Sequence, residues 1–127
     1  MTPTLAAPPI PAPAQTWVRV CTVADLEVER GRAALLGDLQ IALFLLHDGR
    51  VHAVSNLDPY SGASVISRGI VGTRGDAPTV ASPMYKHVFD LRTGVCLDPQ
   101  GKEPASLRVW PTAIDDGWVC VKWEGGR

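Results

Sequence analysis

The sequence predicts an all-β domain, a sandwich or small barrel of about eight short strands covering roughly 110 residues. Three observations predict it. Gly and Asp stand side by side at Gly37-Asp38, Asp48-Gly49 and Asp116-Gly117, each between β-branched or aromatic runs. Such pairs supply the positive φ values that two-residue hairpins need. The run Ile41-Ala42-Leu43-Phe44-Leu45-Leu46 is apolar on both faces and short for a helix, which suits a central strand covered on both sides. The only other helix candidate is Val23 to Glu29, where Thr22 is placed to cap one turn, and in so strand-rich a chain it reads as an irregular connection.

In chain order, residues 1–15 come first as a disordered, Pro- and Ala-rich tail, holding five of the eleven prolines and no charged side chain. Its apolar residues are too interrupted for a signal-peptide core. Residues 16–127 form the folded domain. Strands are expected at Trp17–Cys21, Arg32–Leu36, Leu39–His47, Arg50–Asn56, Thr79–Ala81, His87–Leu91, Leu107–Trp110 and Trp118–Trp123. Two stretches do not read as mere turns: residues 56–63 and 82–87. Each carries a Pro directly after a small polar residue (Asp58-Pro59, Ser82-Pro83), so both are extended, rigid loops.

Composition narrows the function. Twelve Lys and Arg against thirteen Asp and Glu give a net charge of -1, with the basic residues scattered singly. That argues against a nucleic-acid binder, whose affinity comes from concentrated cations. No apolar run approaches the roughly 20 residues of a spanning helix. Three Cys without a secretory leader fit reduced thiols in the cytoplasm better than a disulfide framework.

The order of signals from Val54 onward is specific. Asp58-Pro59-Tyr60-x-Gly62 is followed by Val80-Ala81, then Ser82-Pro83-Met84-Tyr85, then Val88-Phe89-Asp90-Leu91-x-Thr93-Gly94. This resembles a Rieske iron-sulfur domain, whose two loops each offer one Cys and one His in the patterns CPHxG and CPxHGxxFDLxTG. The resemblance implies a Rieske-like β-sandwich with the two loops in the cluster-binding position. In that frame two thiolates hold one iron of a [2Fe-2S] centre and two imidazoles hold the other. The thiolate positions here are Asp58 and Ser82, and the imidazole positions are Tyr60 and Tyr85, so all four ligands are gone. Oxygen donors match a soft thiolate site poorly, and phenols with ordinary pKa near 10 are poor ligands at neutral pH. The expectation is a domain kept for its shape, with no metal at these positions.

Residues 58–72 run Asp-Pro-Tyr-Ser-Gly-Ala-Ser-Val-Ile-Ser-Arg-Gly-Ile-Val-Gly, and residues 82–86 run Ser-Pro-Met-Tyr-Lys. Both stretches are similar to those of the small-subunit family of assimilatory NAD(P)H-dependent nitrite reductases, which are Rieske-like and lack the cluster ligands. The resemblance implies an accessory role with no catalytic residues and no cofactor in this chain. The partner it implies is the large subunit, which carries FAD, an iron-sulfur cluster and sirohaem and reduces nitrite to ammonium. Nucleic acid and membrane are not expected partners. On this reading Asp58, Tyr60, Ser82 and Tyr85 replace the cluster with a packed, hydrogen-bonded loop pair. The two tyrosines fill the cluster's space, and the outer face, including Arg68, Lys86 and His87, contacts the large subunit. Two alternatives belong to other classes: a free-standing Rieske-type [2Fe-2S] electron carrier, and a general β-sandwich interaction module.

The remaining chemistry-bearing residues read more simply. His47 and His52 end one hairpin and face each other across it without a third soft ligand, so they are ordinary strand-end histidines. Cys21, Cys96 and Cys120 have no CxxC neighbour and read as small buried hydrophobes. Asp115 and Asp116 belong to a turn, and Gly69, Gly72 and Gly75 are turn residues rather than a phosphate loop. Trp110, Trp118 and Trp123 pack the sandwich, with an exposed aromatic end left for an interface.

Overall fold

The computed structural model describes residues 15–124, so the expected tail lies outside the described residues except for Gln15, which already belongs to the first strand. The chain runs β1 Gln15–Thr22, β2 Arg32–Leu36, β3 Leu39–Leu45, β4 Val51–Ser55, β5 Ile70–Arg74, β6 Ala77–Ala81, β7 Val88–Asp90, β8 Cys96–Asp98, β9 Val109–Trp110, β10 Thr112–Asp115 and β11 Trp118–Glu124. Three antiparallel sheets result, in the orders β1-β11-β10, β2-β3-β4-β9 and β5-β6-β7-β8. Among the described residues no helix is long and apolar enough to cross a membrane.

The central strand is where the sequence placed it. β3 pairs with β2 on one side and β4 on the other, and Ile41 to Phe44 are all buried. Side chains alternate across a strand, and two cores follow. Ile41 and Leu43 join Val51, Ala53, Val119 and Val121 in the core against the β1-β11-β10 sheet. Ala42 and Phe44 join Val54, Ile66, Val80, Phe89 and Leu91 in the core against the β5–β8 sheet. The doubly apolar run is thus the middle layer of three. The Asp116-Gly117 hairpin has both residues at positive φ, 53° and 79°, as a two-residue turn of the I′ kind requires.

Three strands were not expected from sequence: β5, β8 and β10. The eight anticipated segments account for the others, with β9 shorter than foreseen and β3 ending at Leu45 rather than His47. β5 is exposed along nearly its whole length and carries Gly72, so it has no alternation to read; its pairing with β6 defines it. The segment after Thr22 forms a single 3-10 turn, Val23–Asp25, and the Thr22 backbone N–H and hydroxyl both donate to the Asp25 carboxylate, at 3.1 and 2.9 Å.

Several smaller expectations need correction. His47 and His52 do not face each other: His52 pairs with Phe44 across the hairpin, while exposed His47 lies 3.5 Å from Glu29. The tryptophans leave no exposed aromatic end, since Trp110 is buried and Trp118 and Trp123 are half-buried. Gly72 lies within β5, whereas Gly75 makes the β5–β6 turn. All three cysteines are buried free thiols, and burial pushes those of Cys21 and Cys120 up, away from reactivity.

The layers position the loops. Residues 56–65 leave the end of β4 in the middle sheet, and residues 82–87 connect β6 to β7 in the outer sheet. The loops therefore meet at one edge of the Phe44–Phe89 core.

Candidate functional site

Both loops are built on one backbone pattern. In the first, Gly62 N–H donates to Asp58 O and Asp58 N–H to Ala63 O, each at 2.8 Å. In the second, Lys86 N–H donates to Ser82 O at 3.0 Å and Ser82 N–H to His87 O at 2.9 Å. A third copy follows β7, where Gly94 N–H donates to Asp90 O at 2.7 Å and Asp90 N–H to Val95 O at 2.9 Å. In each turn the first side chain accepts from the backbone N–H two residues on: Tyr60 N–H to Asp58 Oδ1, Met84 N–H to Ser82 Oγ, Arg92 N–H to Asp90 Oδ1. Short Asp and Ser side chains make this local bond readily.

The fifth position of each turn has positive φ: Gly62 at 78°, Lys86 at 67° and Gly94 at 81°. Lys86 thus occupies the place where the Rieske pattern has Gly, and pays the steric cost of a Cβ in the left-handed region. Lys86→Gly is expected to stabilise the domain by about 0.5 to 1 kcal/mol. Urea denaturation checks it through a raised midpoint at unchanged slope; an unmoved midpoint means that Lys86 is not strained.

The two loops are locked to each other at the positions where thiolates would stand. Ser82 Oγ donates to Asp58 Oδ2 at 2.6 Å, and both residues are fully buried. Burial alone would raise the Asp58 pKa, but hydrogen bonds from the Ser82 hydroxyl, the Tyr60 N–H and Ser61 outweigh it and hold the carboxyl below its ordinary value. A buried Asn56, at the root of the first loop, staples that loop internally. Its amide donates to Gln40 Oε1 at 3.1 Å and Ser64 O at 3.2 Å, and its Oδ1 accepts from Ser67 N–H at 2.7 Å.

At the imidazole positions the two tyrosines part company. Tyr60 packs on the core, with its hydroxyl donating to Glu103 O at 3.0 Å and accepting from Ala105 N–H at 2.9 Å. Its ring is stacked on that of His87, with centroids 3.8 Å apart and planes 13° from parallel. Burial raises the Tyr60 phenol's pKa, and the neighbouring Cys96 thiol raises it further.

Tyr85 is 53% exposed and meets His87 only edge-on, at 6.3 Å. It does not fill the space between the loops. Tyr60 and His87, not the two tyrosines, fill it together. The turn closed by Lys86 leaves residues 83–86 in solvent, and the chain re-enters the core at His87, which is 0% exposed. His87 is accordingly not on the outer face where the sequence reading put it. Arg68 and Lys86 are exposed, and so are Leu57, Pro59, Ile70 and Met84 around the loops.

The residues present do not fit a [2Fe-2S] cluster. Its donors are a carboxylate, a hydroxyl and two phenols where two thiolates and two imidazoles are required. The first two are committed to each other, and the stacked Tyr60–His87 pair takes up the room between the loops. Among the described residues no group of three or more His, Cys, Asp or Glu is placed to hold a metal ion. What the arrangement offers is a rigid, closed loop pair with an apolar and basic outer surface.

Known proteins resemble this chain in sequence and fold. Residues 16–122 match the family model of the Rieske-like [2Fe-2S] domain. A nitrite reductase (NADH) small subunit of Escherichia coli K12 is 38% identical over 107 residues, covering 84% of this chain and 96% of that protein. A nitrite reductase [NAD(P)H] large subunit of Klebsiella oxytoca is 42% identical over 109 residues, which are 86% of this chain but 11% of that much longer protein. The crystal structure of a Mycobacterium tuberculosis protein described as an NADH-dependent nitrite reductase small subunit superposes with a TM-score of 0.78 at 46% identity, covering 85% of this chain and 95% of that one.

Proposed function

The chain belongs to the Rieske-like [2Fe-2S] domain family, and from that membership we propose that it is the accessory small subunit of an assimilatory NAD(P)H-dependent nitrite reductase, docked on the large subunit that reduces nitrite to ammonium. One observation carries the reading. The same sequence pattern makes up 96% of an Escherichia coli small subunit and an 11% segment of a Klebsiella oxytoca large subunit. A module that occurs both as a separate subunit and inside the large chain is one whose working position is against that chain.

In this reading the chain holds no redox group. FAD, the iron-sulfur cluster and sirohaem belong to the large subunit, and the cytoplasm, where nicotinamide donors are at hand, is the compartment. The docking face is the outer surface of the loop pair. Tyr85, Met84 and Leu57 provide apolar contact, and Arg68 and Lys86 provide charge; Tyr, Met and Arg are residue types enriched in protein interfaces. His87 supports this face from beneath by holding Tyr60.

The test is reconstitution. Purified chain should co-elute with the large subunit and raise its nicotinamide-dependent nitrite consumption. The charge reversal Arg68→Glu with Lys86→Glu, at exposed positions away from the buried lock, should weaken association about tenfold or more. Failure to co-elute, or equal affinity of the double variant, contradicts the assignment of this partner or of this face respectively.

A further inference from the structure

At the ends of β4 and β7 farthest from the two loops lies a cleft of about 730 Å³, inside the size range of small-molecule sites. β4 runs from Val51 toward the first loop and β7 runs away from the second, so Val51 and Leu91 mark the opposite pole of the domain. Buried Val51, Leu91 and Trp110 give the cleft apolar walls, and Arg50, His52 and Arg92 bring the polar groups. We propose that this cleft binds a small organic anion, a flat apolar body carrying one carboxylate, with the body against Trp110 and the carboxylate between Arg50, His52 and Arg92.

Charge and geometry both favour an anion. Arg92 is oriented by Asp90 through two bonds, Nε to Oδ1 at 3.1 Å and Nη2 to Oδ2 at 3.0 Å, which leaves the rest of its fork of donors uncommitted to that carboxylate. Arg50 meets Asp48 only at 3.9 Å, with both side chains well exposed, a contact too weak to hold it from a better partner. A further guanidinium, Arg108, stands 4.7 Å over the Trp110 ring and adds positive potential to the same region. His52 lies among these groups. Burial above all lowers its pKa, Asp48 and Asp90 raise it, and Arg50 and Arg92 lower it. An anion seated between the arginines favours the imidazolium, so binding takes up a proton and tightens as pH falls. The site is independent of the loop face and of the partner assigned to it.

The experiment is an amide NMR titration of the full chain with indole-3-acetate, and with indole-3-acetamide as its neutral isostere. The acetate should shift the amides of Gly49 to Ala53 and of Leu91 and Arg92 saturably, and the acetamide should bind about tenfold more weakly. Arg50→Gln, at an exposed turn position, should remove most of that difference while leaving the acetamide unchanged. Because burial holds His52 below the ordinary imidazole value of about 6.5, acetate affinity should rise as pH falls below that value, and acetamide affinity should not. Equal binding of the two probes, shifts confined to other residues, or an Arg50→Gln variant that binds the acetate as tightly as the parent would each overturn the proposal. So would loss of the probe on adding the large subunit, which would make the cleft part of the subunit interface.

Discussion

Tyr60→Ala is expected to cost about 3 kcal/mol of stability and to open the loops to protease, whereas Tyr85→Ala changes stability by less than about 0.5 kcal/mol. Both residues stand where the Rieske frame has a histidine, so a reading from the motif alone treats them as equals. The structure separates them. The Tyr60 hydroxyl ties residues 103 and 105 to the first loop, and its ring is stacked on fully buried His87 and lies 6.2 Å from Phe89. Removing it leaves the Ala105 N–H without that acceptor and opens a cavity beside an aromatic core. Tyr85 touches His87 only by its edge and is half in water. Its loss should instead weaken association with the large subunit, because an exposed aromatic is the kind of side chain that anchors an interface. Urea denaturation with limited proteolysis reads the first effect and co-elution reads the second. Equal stability losses in the two variants would show that the loops are not held by the Tyr60–His87 stack.

Ser82→Ala should cost about 2 to 3 kcal/mol, the penalty for leaving a buried charged group short of its hydrogen bond. The bond it removes joins the loops directly, from Ser82 Oγ to Asp58 Oδ2. Asp58→Asn should cost less, since the amide oxygen replaces Oδ1 as acceptor of the Tyr60 N–H while the amide NH2, in place of Oδ2, donates to the Ser82 hydroxyl oxygen. The pair also sets an acid limit. The Asp58 pKa is depressed in the fold because the hydrogen bonds it accepts outweigh its burial, and that of Asp90 is depressed chiefly by Arg92. A depressed carboxylate contributes stability that is present above its unfolded value, about 3.9, and is lost as pH falls through the lower folded value. Stability should therefore decline below about pH 4, and Asp58→Asn should flatten that decline. An acid limb of the same steepness in the variant would assign the effect to other carboxylates.

Much of this fold was legible because its strongest signals are local. The apolar run at Ile41–Leu46 is a strand buried on both faces, and the Asp116-Gly117 pair makes the turn that its composition demands. β5 and β10 were not legible for a physical reason: they are exposed strands whose identity comes from the neighbour they pair with, and β8 is three residues long. The loops were located by motif, and the loss of the cluster donors was visible in the four side chains themselves. What replaced the cluster was less visible. His87 follows four exposed residues, so nothing in its neighbourhood signals burial. The signal lies in the repeated turn, since residues 58–62, 82–86 and 90–94 share one spacing from polar side chain to left-handed residue. Aligning the three places His87, like Ala63 and Val95, directly after the left-handed residue, where its carbonyl accepts from the N–H of the turn's first residue. Asn56 reads from sequence only as a strand end, although Asn side chains readily bond nearby backbone, as this one does with Ser64 O and Ser67 N–H.

This Rieske-like frame is closed by side chains at the positions where the Rieske pattern has its four cluster ligands. The most direct measurement is iron and acid-labile sulfide in the full chain, expressed with active cluster assembly and purified without oxygen, read beside its electron paramagnetic resonance after reduction. The account predicts iron and sulfide at trace level and no cluster signal, with the chain fully folded. Two irons and two sulfides per chain with a [2Fe-2S] spectrum would contradict it.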